Sequence, residues 1–173
     1  MNIRYFFAKT KSKLFNNHEI LVDYHRKRGI HIGKDCLICS DMLSDEPFLI
    51  SIGDRCVIST DVDFVTHDFS ISRVIPDKSN LYGNITIGNN CFIGARSVLM
   101  YGIELPDNVI VAAGSVVVNS FGEGNVVIGG NPARIIGTWD DLEEKYKDKA
   151  TYAAGIKDRV DNNPEILVKR KSK

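Results

Sequence analysis

An imidazole changes charge near neutrality, so a histidine held beside a hydroxyl can take its proton as the oxygen attacks a carbonyl. The chain has four histidines, His18, His25, His31 and His67. The first two fall in an N-terminal stretch that reads as helix, and His31 directly precedes an apolar position that turns its own side chain outward. His67 stands where a regular pattern gives way to a long irregular segment, at a corner beside a loop. A lone histidine is more often a structural hydrogen-bonding residue, and the corner position is what singles this one out. A base of this kind also needs a partner on its other ring nitrogen to fix the tautomer. Glu46, Asp68, Asp41 and Asp45 are the carboxylates that could serve.

Four cysteines, Cys36, Cys39, Cys56 and Cys91, include one C-x-x-C pair. A zinc site needs more ligands close by and a thioredoxin-type site needs a βαβ setting. Neither is visible, so the cysteines read as small buried fillers.

The elements that must hold these residues follow from a six-residue period. Ile87, Ile93, Leu99, Leu105, Val111 and Val117 are spaced by six, the same register fits Ile52, Ile58 and Phe64, and it returns at Ile32 and Ile38. All eleven positions are apolar. Glycine follows the key residue at Gly33, Gly53, Gly88 and Gly94, where a β-carbon would hinder a tight corner. Four places after the key residue come small or medium side chains, Cys36, Cys56, Cys91, Val62, Ser97, Val109 and Ser115. Three of the four cysteines are therefore accounted for by packing.

A period of six is neither helical nor a simple alternation, so each hexad must form a short strand and a corner. Three strands close a triangular coil of 18 residues, and stacked coils bury a continuous ladder of key residues. The steps from 38 to 52 and from 64 to 87 exceed multiples of six by two and five residues, which predicts loops protruding from corners. On this scheme Glu46 stacks roughly one coil below His67, while Asp68 is its immediate neighbour.

The flanks differ. Residues 1–28 are aromatic and basic without hexads and are expected to be helical. Thr138-x-x-Asp141 reads as a capping pair that opens a charged helix to about Lys149, with Trp139 and Leu142 able to pack on the coil end. The tail from Thr151, ending in Lys169-Arg170-Lys171-Ser172-Lys173, is expected to be solvated. The expected organisation is thus a helical extension over 1–28, a β-helix over 29–137, and a C-terminal helix and tail over 138–173, an all-β class with helical ends. Lys plus Arg and Asp plus Glu both number 22, so net charge gives no reason to expect a nucleic-acid partner. No signal-peptide run or membrane-spanning stretch is present, and the expected location is cytoplasmic. Ile3, Tyr5, Phe6 and Phe7 with Lys9, Lys11 and Lys13 could instead lie on a membrane surface, although packing in an assembly is the commoner explanation.

The hexads, the segment Asp45-Glu46-Pro47-Phe48-Leu49 before Ile52-Gly53-Asp54, the tripeptide Thr66-His67-Asp68 and the closing Gly130-Asn131-Pro132-Ala133-Arg134 resemble the hexapeptide-repeat acetyltransferases. The likeness is to the sugar and polysaccharide O-acetyltransferases related to galactoside and maltose acetyltransferases, and it covers about 29–137. It implies a left-handed parallel β-helix, acetyl-CoA as co-substrate, and no metal. It implies His67 as the base for direct attack of a sugar hydroxyl on the thioester, through a tetrahedral oxyanion and without an acyl-enzyme. Glu46 is the first candidate to orient His67, with Asp68 beside it. The resemblance places Ala95 at the oxyanion and Ala95, Ala113 and Arg134 along the CoA groove. Val118-Asn119 depart from the Thr-Lys of many relatives.

Between His67 and Ile87, Arg73, Tyr82 and Asn84, with Asp77 and Lys78, supply groups suited to a sugar acceptor. The resemblance further implies a homotrimer with sites between neighbouring coils and a role in surface polysaccharide or lipopolysaccharide synthesis. Rival readings are N-acetylation of an amino-sugar nucleotide, acetylation of an antibiotic, and a noncatalytic β-helix module. A zinc carbonic anhydrase on the same scaffold would need several coil histidines.

Overall fold

The computed structural model describes residues 3–170. They form two compact units that divide between Ile136 and Gly137.

The first unit opens with two helices, α1 (Ile3–Leu14) and α2 (Glu19–Lys27), where the sequence suggested one helical stretch. The break is local: Asn16 takes a left-handed backbone at φ 47°, and the Asn17 side chain accepts the Glu19 N–H at 3.0 Å to start the second helix. Strands of two to six residues then wind into three sheets, paired in parallel from coil to coil. On the first sheet Ile32, Ile52, Ile87 and Leu105 stack in register. On the second the column is Ile38, Ile58, Ile93, Val111 and Ile128, and on the third Phe64, Leu99 and Val117. All eleven key positions of the hexad register are buried. The architecture is a hexapeptide-repeat β-helix, but helices at both ends correct the all-β class expected from the hexads, and helix makes up 28% of the chain.

Corner glycines are required by close approach. A β-carbon on Gly94 would lie 2.5 Å from the Ala113 nitrogen, and one on Gly53 would lie 2.8 Å from the Gly88 carbonyl carbon. The cysteine slot also matches its packing role. Cys36, Cys56 and Cys91 are buried and unbridged, and the Cys56 thiol donates to the Gly88 carbonyl at 3.0 Å. Burial pushes the Cys36 thiol up, which disfavours the reactive thiolate.

The long loop is larger than the modular count suggested. Ile52 pairs with Ile87, 35 residues on, whereas Ile87 pairs with Leu105 after 18. The coil therefore carries a 17-residue insertion, of which a count in sixes leaves only the remainder of five. It leaves the coil after Thr66, carries the 3-10 turn Phe69–Arg73, and returns at Gly83. Its root is a short antiparallel ladder in which His67 faces Tyr82 and Asp68 faces Leu81.

In the second unit α3 (Trp139–Tyr146) begins at a capping box, with the Thr138 hydroxyl accepting from Asp141 N–H and the Thr138 N–H donating to the Asp141 carboxylate. The tail expected to be plainly solvated carries α4 (Ile156–Asn162) and the 3-10 turn Pro164–Ile166. Lys171, Ser172 and Lys173 of the basic terminus lie outside the described residues. Among the described residues no helix is long and apolar enough to cross a membrane, and no group of three or more His, Cys, Asp or Glu side chains is placed to hold a metal ion.

Candidate active site

His67 stands at the root of the insertion, where two constraints meet. The Gly83 N–H donates to the Thr66 carbonyl at 3.1 Å and closes the loop, and the Gly102 N–H donates to Asn84 at 2.9 Å and ties the returning chain to the next coil. Thr66, the last residue before the loop leaves, is buried, whereas the His67 side chain keeps 36% of its surface. The ring is therefore fixed at its base and open at its edge.

Glu46 comes from the first coil. It precedes the 3-10 turn Pro47–Leu49 without capping it, so its carboxylate is available to the site. Oε2 lies 2.9 Å from His67 Nδ1 and accepts the Thr66 hydroxyl at 2.7 Å. Ser44 Oγ is 2.8 Å from Thr66 Oγ1 and accepts the Glu46 N–H at 3.1 Å.

These contacts set the direction of every proton. The Thr66 hydroxyl, and after it the His67 ring, hold the Glu46 carboxyl below the usual carboxylate range, so the group is ionised and can only accept. Thr66 must then donate to Glu46, Ser44 must donate to Thr66, and the remaining Ser44 lone pair meets the Glu46 N–H. His67 Nδ1 must carry hydrogen. In the neutral ring this tautomer puts the lone pair on Nε2, which is the form a general base requires.

Among the other residues singled out from sequence, Tyr82 is brought against His67, with ring centroids 5.9 Å apart, and its hydroxyl accepts from Asn80 at 3.0 Å. Asp68 is turned elsewhere: one oxygen accepts the Ser70 N–H at 2.8 Å and the other the Tyr101 hydroxyl at 3.1 Å. These contacts, Ser70 first, hold its carboxyl below the ordinary range, and they anchor the insertion to the coil above. The Arg73 guanidinium lies 5.8 Å from the Phe69 ring. Asn84 is exposed at the insertion's return, bonded through its carbonyl. Asp45 is exposed, and Asp41 faces Arg28 at 3.7 Å.

Ala95 and Ala113 stack at the corner between the second and third sheets, where the Gly114 N–H donates to the Ala95 carbonyl at 2.9 Å. A comparison with the corner between the first and second sheets explains what alanine does there. At that corner the residue after each glycine has its N–H taken by a side chain from the next coil: Lys34 by Asp54 at 2.8 Å, Asp54 by Asn89 at 2.8 Å, and Asn89 by Asp107 at 2.7 Å. Alanine offers no such acceptor, so its corner presents N–H groups and a shallow apolar surface instead. Those features suit a carbonyl oxygen and a slender chain. Arg134 is exposed on the last coil, with Nη1 donating to the Ala133 carbonyl at 2.8 Å.

Ser44 is not singled out from sequence, and Thr66 is named only within the Thr66-His67-Asp68 tripeptide; the Ser44-x-Glu46 spacing is the signal that could have marked the serine. Tyr101 is likewise not singled out, and no local pattern marks it.

Known proteins of the same repeat are similar to this chain. Residues 84–118 match the family described as hexapeptide repeat of succinyl-transferase. Protein CapG of Staphylococcus aureus is 39% identical over 136 residues, covering 75% of this chain and 78% of its own length. Galactoside O-acetyltransferase of Escherichia coli is 30% identical over 119 residues, covering 68% of this chain and 58% of its own length. The solved structure of a hexapeptide-repeat acetyltransferase from Vibrio cholerae complexed with acetyl-CoA has a TM-score of 0.53 at 25% identity, covering 64% of this chain and 61% of that one. Matching hexads, coil and relatives together place this chain in the hexapeptide-repeat acetyltransferase family, with galactoside O-acetyltransferase among the proteins it is similar to.

Proposed function

We propose that the protein transfers the acetyl group of acetyl-CoA to a sugar hydroxyl by direct attack, with His67 as general base. The observation that carries this reading is the 2.9 Å contact between Glu46 Oε2 and His67 Nδ1, because in the neutral ring it selects the tautomer whose lone pair is on Nε2.

In the proposed reaction Nε2 takes the acceptor's hydroxyl proton as its oxygen bonds to the thioester carbon. Glu46 stabilises the imidazolium that forms, and the N–H of Ala95 faces the carbonyl oxygen as it gains charge. The carbon–sulfur bond then breaks, and His67 returns the proton to the departing sulfur. Cys36, Cys56 and Cys91 are buried among the coil's packing positions, where a thiol is a poorly placed nucleophile for a covalent acyl-enzyme.

The alanine corner with its open N–H groups fits a pantetheine arm, and Arg134 would meet phosphate. Tyr82 offers its ring as a wall for the sugar, with Arg73 and Asn84 as further contacts on the insertion. Ala95 and His67 lie on different corners of the coil, separated by the width of the third sheet, and a homotrimer that brings the corner of one coil to the insertion of another would complete the site. The acceptor belongs to surface polysaccharide or lipopolysaccharide synthesis on this reading.

The test is release of free CoA thiol from acetyl-CoA over a panel of sugar acceptors, for native protein and His67→Ala. Turnover should fall by about 10²-fold or more in the variant while its circular dichroism is unchanged. Equal turnover would remove His67 from the reaction.

A further inference from the structure

Helix α1 has a second face that the fold does not use. Tyr5 and Ser12, seven residues apart, are buried, and the Tyr5 hydroxyl donates to the Cys39 carbonyl of the first coil at 3.3 Å. Tyr5 is thus part of the core side of the helix and is removed from the exposed aromatic set that the sequence suggested. At 100° per residue Ile3, Phe7 and Leu14 fall within roughly 40° of one another, on the side opposite Tyr5 and Ser12. They are 69%, 58% and 76% exposed, and Phe6 and Phe15 extend the apolar surface.

The charges flank this stripe. Lys11 shares one edge with Arg4, and Lys13 shares the other with Lys9, whose ammonium also lies 5.4 Å from the Tyr5 ring. The helix has four cations and no carboxylate in twelve residues. The whole chain balances 22 against 22, so the rest of it is net negative by four. One helix therefore carries both a cluster of positive charge and a continuous exposed apolar stripe.

From this pairing we infer that α1 is a membrane-surface contact, lying in the headgroup plane of an anionic phospholipid bilayer with Ile3, Phe7 and Leu14 dipped toward the acyl chains. Lysine stems can follow the stripe inward while their ammonium groups stay with the phosphates, and aromatic rings suit the boundary between headgroup and hydrocarbon. A twelve-residue helix is too short to span, so the contact is reversible and depends on charge. Because α1 rests on the first coil, the coil that supplies Glu46, docking would bring that end of the β-helix to the bilayer and favour acceptors displayed there.

The experiment is sedimentation of the full chain with vesicles of equal parts phosphatidylglycerol and phosphatidylcholine, and with phosphatidylcholine alone, at low and high salt. Binding should be confined to the anionic vesicles and weaken with salt. The double variant Phe7→Ser, Leu14→Ser and the double variant Lys11→Glu, Lys13→Glu should each lower partitioning by about tenfold or more, with melting temperature and mass by light scattering unchanged. No sedimentation, equal sedimentation with both lipids, or variants that bind as native all overturn the inference. Variants that alter the oligomeric mass while leaving sedimentation as in native protein overturn it in favour of a second copy of the chain on this face.

Discussion

The Glu46 carboxylate and the His67 ring come from successive coils and meet at 2.9 Å, so the stacking of the repeat itself assembles the pair. Glu46→Gln keeps the shape and one acceptor oxygen but removes the charge that holds hydrogen on Nδ1. The expected result is a fall in kcat of about 10²-fold with little change in the KM for acetyl-CoA. A variant with native kcat would show that the tautomer is set by something other than Glu46.

Thr66 is a positioning residue whose hydroxyl is the only link between Ser44 and the carboxylate in this chain of bonds. Thr66→Val should cost about 1–2 kcal/mol of stability, because it leaves Ser44 without its acceptor in a part-buried site, and should lower kcat by about tenfold. Thr66→Ser retains the oxygen and should restore kcat more fully than stability. If the serine variant recovers stability but not turnover, the hydroxyl chain plays no part in setting His67.

Tyr101 reaches from the coil above to Asp68 at 3.1 Å, and the carboxylate in turn raises the phenol's pKa. Tyr101→Phe should loosen the insertion root rather than the fold. Hydrogen exchange at His67 and Tyr82 should quicken and the acceptor KM should rise several-fold, while the melting temperature barely moves. Unchanged exchange at the root would mean that the antiparallel ladder suffices alone.

Much of the fold was legible because the hexad is a packing requirement repeated eleven times, and each repeat independently demands a buried apolar residue. The insertion's length was less so: a period fixes position only to within multiples of six, and the pairing of Ile52 with Ile87 supplies the missing seventeen residues. The His67–Glu46 contact could be anticipated from coil stacking, since both segments belong to the same side of the prism one turn apart. The role of Asp68 was harder to read, because sequence adjacency to His67 says nothing of where a strand's alternate side chain points. Its partner Tyr101 lies 33 residues away. The outward stripe of α1 was half visible; only burial of Tyr5 separates its two faces.

Gly94 and Gly102 test two different reasons for glycine. A β-carbon on Gly94 would meet the Ala113 nitrogen at 2.5 Å and the Val111 oxygen at 2.6 Å, backbone atoms that cannot swing aside. Around Gly102 there is nothing within 4 Å, and the only obstacle is its φ of +77°. Gly102→Ala should cost about 1–2 kcal/mol of conformational strain. Gly94→Ala should cost more, at or beyond the ~3 kcal/mol upper end of typical overpacking. Denaturant melts giving the reverse order would contradict the close coil spacing at the alanine corner.

His25 makes the fold sensitive to acid at a higher pH than the carboxylates do. It is fully buried beside Tyr5 and Tyr24, with ring centroids at 6.0 and 5.0 Å. Burial, and then the Arg28 charge, lower its pKa from 6.5 to about 4. Between those values the unfolded chain binds a proton that the folded chain refuses, so stability from this residue is complete above pH 6.5 and is lost as pH falls toward 4, levelling below. The loss is on the order of 3 kcal/mol across the window. Urea unfolding at pH 7.5 and pH 4.5 should show it in the native chain. His25→Phe, which fills the same site without titrating, should flatten that part of the dependence even if it shifts the overall stability. A native slope that persists in the phenylalanine variant would assign the acid sensitivity to other groups.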